Sequence, residues 1–256
     1  MQVLAGDSPQ RGAMAETQPS KIRTIGRFRT LAIDVGGTHL KATVVDDGGH
    51  FLTEPVRVNT PVGSSPRAFI KTLAKLVAPL GNYDRVSVGF PGAIRHGHVL
   101  TAPNLGNERW ASFELEAALT KVLGKPVRVA NDADMQGLAV ISGKGLEMII
   151  TLGTGFGTGI YVDGHLAPHL ELGRHPCRKG KSYDDHVGNA ARERVGNRKW
   201  NKRVKRAIAQ VRNLVNFDHL YVGGGNAKKI DFNPGTDVTI VPNTAGMAGG
   251  AGLWRD

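Results

Sequence analysis

Residues 31–49 read LAIDVGGTHLKATVVDDGG, and residues 148–164 read MIITLGTGFGTGIYVDG. Each stretch runs as an apolar strand, a tight Gly/Thr loop, a second apolar strand and an Asp-Gly turn. One pattern repeated in a single chain predicts two half-domains that face each other across a ligand. Each loop would offer backbone N–H groups and a Thr hydroxyl, Thr38 or Thr154, to phosphates held between them. Gly36, Gly37, Gly153, Gly155 and Gly157 permit the sharp turns and let the backbone approach an anion with no side chain in the way. Asp34 ends the first strand as a charge that burial makes costly unless a cation or loop donors compensate it. Mg²⁺ prefers one or two carboxylates with water and phosphate oxygens, which makes Asp34 the candidate metal ligand. Lys41 is either a point charge for the phosphates or a solvated strand-edge lysine.

Of the 256 residues, 40% are hydrophobic and 21% charged, a composition that argues against wholesale disorder and suits two small lobes. No apolar run approaches the roughly 20 residues that span a bilayer. The first 26 residues are polar and lack an apolar core segment, so they read as a disordered tail and not a secretory signal. Cys177 is the only cysteine; it excludes an internal disulfide, fits a reducing cytoplasm, and leaves no multi-thiolate zinc site. The net charge of +11 favours polyanions as partners without saying which. Nucleic acid is not expected, because aromatics are only 6% and no recognition motif or stacking platform is legible. A membrane partner is not expected either.

Strands are expected at 30–35, 40–46 and 50–58, then a helix over 64–79, a strand at 85–90 and a helix from Phe113 to Leu123 closed by Gly124. A strand at 127–131 delivers NDAD (131–134) into the next helix. The second half repeats the theme with the 148–163 hairpin, helices near 183–195 and 200–216, strands in HLYVGGG and DVTIVP, and a short terminal helix. Alternating strands and helices indicate an α/β protein with mixed sheets.

Five motifs in one order, DVGGTHLK (34–41), NDAD (131–134), LGTGFG (152–157), ELG (171–173) and VGGG (222–225), resemble the ROK family of sugar kinases. Within it, TAPNLGNERW (101–110) and the ending PNTAGMAGGAGLW are most similar to the polyphosphate glucokinase and glucomannokinase branch. The resemblance implies an actin-like ATPase (ribonuclease H-like) fold: a small lobe over 27–130 with the terminal helix 244–256 packed back on it, and a large lobe over 131–243. It further implies a homodimer and phosphoryl transfer to a hexose hydroxyl, glucose first and mannose second, with polyphosphate, ATP or both as donor and Mg²⁺ as cofactor. A strictly ATP-dependent glucokinase and a sugar-responsive regulator are the alternatives; 26 polar residues are too few for the regulator's helix-turn-helix.

By the same resemblance Asp132 is the general base, although an Asp at a strand-to-helix junction also reads as a helix N-cap. Asn104, Asn131, Glu171 and Asp184 would contact the sugar, and Gly223, Gly224 and Gly225 would pass under the nucleotide. Arg174 stands where the family usually has a histidine. His165, His169, His175 and His186 match no metal-ligand spacing and read as structural or surface histidines. Arg198, Lys199, Lys202, Arg203, Lys205 and Arg206 crowd one helix beside an apolar stripe of Val204, Ala207, Ile208, Val211 and Leu214. They form either a solvated face or a track for a long polyanion.

Overall fold

The computed structural model describes residues 27–242 and 245–255. The tail expected over 1–26 lies outside these residues, as do Asn243, Thr244 and Asp256. The first half contains β1 (Thr30–Val35), β2 (His39–Val45), β3 (Val56–Asn59), α1 (Pro66–Val77), β4 (Arg85–Phe90), a small hairpin of β5 (Ile94–Arg95) and β6 (His98–Val99), α2 (Asn107–Trp110), α3 (Leu115–Leu123) and β7 (Val127–Asn131). The second contains α4 (Asp132–Gly137), β8 (Leu146–Leu152), β9 (Phe156–Val162), β10 (His165–Leu166), β11 (Pro176–Arg178), β12 (Lys181–Ser182), α5 (Tyr183–Val187), α6 (Asn189–Val215), β13 (His219–Gly223), β14 (Val238–Ile240) and α7 (Ala245–Ala248). A 3₁₀ segment, Gly249–Trp254, follows α7.

Two five-stranded mixed sheets result, ordered β3-β2-β1-β4-β7 and β10-β9-β8-β13-β14. In each, a glycine-turned antiparallel hairpin is flanked by a strand parallel to its first arm: β4 beside β1, and β13 beside β8. The repeat in the sequence is therefore a repeat in topology. The central strands β1 and β4 are covered on both faces, which is why they read as continuous apolar runs and not as alternating ones.

Helix α1 starts where Ser65 Oγ accepts the Ala68 N–H and Pro66 takes the first turn, a position that has no use for an amide hydrogen. It buries Phe69, Ile70, Leu73 and Val77. Trp110 lies edge-on to Phe69, with ring centroids 5.0 Å apart, and is 1% exposed. The tryptophan of the TAPN…W segment is thus a core residue and has no surface to offer a donor.

Three expectations change. The strand expected over 50–58 begins only at Val56, because Pro55 brings no amide to a ladder and Thr53 Oγ1 takes the Val44 N–H at 3.0 Å. The break expected between the helices near 183–195 and 200–216 falls at Gly196, whose φ 76°, ψ 158° is non-helical, so the α6 span is two helices meeting at a kink; what changes is that the first of them is divided again at Gly188. Leu214 is 60% exposed and drops out of the apolar stripe, whereas Val204, Ala207, Ile208 and Val211 are buried. Among the described residues no helix is long and apolar enough to cross a membrane.

The C-terminal segment packs on the first sheet. Ser87 Oγ donates to the Gly250 carbonyl at 2.6 Å and accepts from Trp254 Nε1 at 2.8 Å. Arg128 donates to the Leu253 carbonyl at 2.6 Å and its guanidinium lies 4.5 Å from the Trp254 ring. Gly249 seats against the Met135 carbonyl of α4, where no Cβ would fit. Gly249→Ala should therefore destabilise the fold by about 1–3 kcal/mol, read as a lower denaturant midpoint. Gly225→Ala, whose methyl would meet nothing within 4 Å, should leave the midpoint nearly unchanged.

Candidate active site

The two glycine hairpins meet across a cleft. A Cβ added at Gly37 would stand 3.8 Å from Thr154 Oγ1, so the first loop faces the second at side-chain distance. Asp34, Gly36, Gly37 and Lys41 line one wall; Gly153, Thr154, Gly155 and Gly157 line the other. Thr38 is exposed and is not among the cleft-lining residues; its carbonyl instead receives the Thr60 N–H at 2.9 Å. Lys41 lines the cleft with its charge beside that of Asp34. It sits directly across from Asp34 in the β1/β2 register, with Nζ 3.7 Å from Asp34 Oδ2. Burial raises the Asp34 pKa and the Lys41 charge opposes that rise.

The NDAD motif spans the end of β7 and the start of α4. Asn131 is the cap here, not Asp132: its Oδ1 accepts the Ala133 N–H at 2.8 Å and its Nδ2 donates to the Gly92 carbonyl at 3.1 Å. The Asn131 amide expected to hold sugar hydroxyls is thus engaged in fixing the junction that aims Asp132 into the cleft. Asp132 keeps one protein donor, the Ala133 N–H at 2.9 Å from Oδ1. Burial first, and then the negative charge of Asp34, push its pKa up to about 7. A carboxylate with that affinity can accept a proton near neutrality.

Asn104, Glu171, Arg174 and Asp184 gather at the same cleft. Asp184 has a second task, since its Oδ1 accepts the Phe156 N–H at 2.7 Å and so braces the LGTGFG loop. Burial raises the Asp184 pKa against that bond and the nearby Arg174 charge. At the far end Gly224 and Gly225 line the cleft but Gly223 does not; Gly223 packs against the Gln136 amide and Val241. The Asn226 N–H donates to the Leu152 carbonyl at 2.8 Å, tying this turn to the second glycine hairpin.

The residue pair that sequence reading missed is Asp134 with His169. His169 Nδ1 lies 2.9 Å from Asp134 Oδ2 and its Nε2 lies 3.7 Å from Glu171 Oε2. Burial opposes charge on the imidazole, yet the two carboxylates outweigh it and raise its pKa to about 10. The ring thus joins α4, which begins at Asp132, to the loop that carries Glu171. No sequence spacing announces it, since the two residues stand 35 positions apart.

His169→Gln should raise the KM for hexose more than it lowers kcat, because Glu171 loses its cationic neighbour while Asp132 keeps its cap. The folded-state pKa of His169 lies above its unfolded value of about 6.5, so the ion pair's stabilisation is full below that pH and fades as pH rises through about 10. The stability gap between wild type and His169→Gln, measured by denaturation, should close over that window.

A model of the ROK family matches residues 30–169. The polyphosphate glucokinase of Mycobacterium tuberculosis (strain ATCC 25618 / H37Rv) is 32% identical over 258 residues, covering 93% of this chain and 97% of that protein. The inorganic polyphosphate/ATP-glucomannokinase from Arthrobacter sp. strain KM aligns at a TM-score of 0.79 and 35% identity, over 88% of this chain and 97% of that one. A ROK family glucokinase from Streptomyces griseus, in complex with glucose and AMPPNP, shares the fold at a TM-score of 0.73 and 20% identity, over 88% and 98% of the two chains. The matched span holds the first phosphate loop, the NDAD junction and the second loop, and the relatives extend the match almost to the full length: this chain belongs to the ROK family and has the actin-like ATPase fold of its sugar kinases.

Proposed function

We propose that this chain is a hexokinase of the glucokinase and glucomannokinase kind, transferring a phosphoryl group from polyphosphate or ATP to the 6-hydroxyl of glucose, with mannose as the second acceptor. The observation that carries this reading is Asp132: a carboxylate with a pKa of about 7, fixed at a helix start beside two facing phosphate loops. Asn104 and Glu171 bind sugar hydroxyls, with Asp184 and Arg174 at the same edge. Asp132 takes the proton of the attacking hydroxyl as the new O–P bond forms and the bond to the leaving phosphate breaks. The backbone N–H groups of the two loops, with Lys41 and the Thr154 hydroxyl, hold the phosphates in line, and positioning of this kind supplies most of the acceleration in phosphoryl transfer. Gly224 and Gly225 leave room for the nucleotide when ATP is the donor.

Among the described residues, no three His, Cys, Asp or Glu side chains form a metal-ligating cluster. Mg²⁺ would thus rest on Asp34, water and the donor's own phosphate oxygens, a donor set that suits this ion. When bound it would offset the negative charge of the transferring phosphoryl group. The lobes are 27–130 with 244–256, and 131–243, and the chain works as a cytoplasmic homodimer; the lone Cys177 suits a reducing compartment.

Asp132→Asn should lower kcat by about 10²–10⁴-fold with the fold intact; near-normal turnover would remove Asp132 as the base. Since the base must be ionised, kcat/KM for hexose should rise with pH through a limb near 7. Asp34→Asn takes away a negative charge that helps raise the Asp132 pKa, so the limb should move to lower pH even as activity falls. A chelator should stop turnover with either donor, and added Mg²⁺ should restore it; full activity in excess chelator would exclude the cation.

A further inference from the structure

Beyond the cleft, the protein has a second hollow of about 380 Å³ bordered by Arg178, Lys179, Lys181, Lys202, Arg203 and Arg206, with His186 between them. Two elements distant in sequence build it. The β11–β12 hairpin contributes its last strand residue, its turn and the first residue of its second strand; α6 contributes positions 202, 203 and 206, which share one helix face. Arg198, Lys199 and Lys205, counted with the same basic run in the sequence, do not border it.

Among the described residues, no carboxylate lies within ion-pair distance of any of the six cations. The local contact that holds the cluster together is a 3.2 Å bond from Arg203 Nη1 to the His186 carbonyl. Burial and then the charges of Arg203, Arg178 and Lys181 press the His186 pKa down, so the cations act at one point. Like charges gathered this closely repel one another, and a ligand of several negative charges relieves that repulsion at every position at once.

The hollow and the cleft are related through α5. A second depression shares Asn104, Thr154, Gly155, Arg174 and Asp184 with the cleft and adds Asp185 and Arg194. Helix α5 runs along all three: Asp184 borders the cleft, Asp185 the depression and His186 the basic hollow. A phosphate chain whose end is in the cleft would pass Arg174 and Arg194, and with them the Asp184 and Asp185 carboxylates, before it met the six cations. ATP ends in a nucleoside at the Gly224–Gly225 turn and has no phosphates to send there.

We propose that the hollow between the β11–β12 turn and α6 is a distal binding site for the non-reacting part of an inorganic polyphosphate chain. It rests on the reading that polyphosphate is a donor, and adds where the rest of the chain is held.

The test compares two triple variants of equal charge change. Lys179→Glu/Lys202→Glu/Arg206→Glu alters the hollow; Arg198→Glu/Lys199→Glu/Lys205→Glu alters the same region outside it. Long-chain polyphosphate, tripolyphosphate and ATP are each assayed as donors, and direct binding of long-chain polyphosphate is measured without turnover. The first variant should raise the KM and Kd for long polyphosphate about tenfold or more, leave those for tripolyphosphate and ATP within about twofold, and lose the preference for long chains. The second should keep it. If both variants weaken long polyphosphate alike, a diffuse surface field is at work and the site is overturned. If wild type uses polyphosphate and the first variant is unaffected, the site fails and the donor reading stands. If wild type uses ATP alone, the donor reading fails, and the binding arm still decides whether the hollow takes the chain. Tighter binding of a charge-matched RNA oligomer, lost in the first variant, would give the hollow to nucleic acid and overturn the proposal.

Discussion

Negative charge crowded around one cleft is the condition to which the rest of the molecule answers. Asp34, Asp132, Glu171 and Asp184 all border it, and Asp134 lies buried just behind. Burying such groups unpaired would cost several kcal/mol each, and each is answered differently. Asp34 has Lys41 across the strand pair, Asp134 has His169, and Asp184 has the Phe156 N–H and the neighbouring Arg174. Asp132 alone is left with a single backbone donor. The differences in compensation set the differences in proton affinity, and the least compensated carboxylate is the one placed to take a proton.

That arrangement depends on α4, a short helix that packs against both sheets. Gly89 of β4 leaves room for Met135, and Gly137 lets the Tyr161 ring of β9 approach closely. Tyr161 donates its hydroxyl to the Asp134 carbonyl at 2.6 Å. On the remaining side the C-terminal segment presses Gly249 onto Met135 and is itself tied to Ser87 and Arg128 of the first sheet. The helix that starts with Asp132 is therefore clamped by elements from the beginning, middle and end of the chain. Rigid placement of this kind is what an in-line transfer needs, since a small displacement of the reacting atoms is costly in rate.

The positive side of the balance is distributed unevenly. Cations inside the cleft are few and each faces a carboxylate, whereas among the described residues the six cations of the outer hollow, on the β11–β12 hairpin and at positions 202, 203 and 206 of α6, have no carboxylate within ion-pair distance. The net charge of +11 thus says little about the cleft and much about this outer hollow.

Much of the architecture was legible in the residues. The doubled Gly/Thr hairpin foretold the two mixed sheets, because side-chain periodicity and glycine turns are local properties of a chain. NDAD was legible as a strand end running into a helix start, and the basic run on α6 was plain as a run. The sequence left three things open, all of them contacts between distant segments: which amide caps α4, which imidazole lies between Asp134 and Glu171, and which half of the basic run faces the β11–β12 turn. Position 174 shows the same division. The sequence supplies an arginine, but only the fold brings it beside Asp184. Local pattern determined the elements and their order; the burial of charge, and with it every proton affinity at the site, was decided by tertiary packing, because desolvation and ion pairing depend on neighbours that chain order does not name.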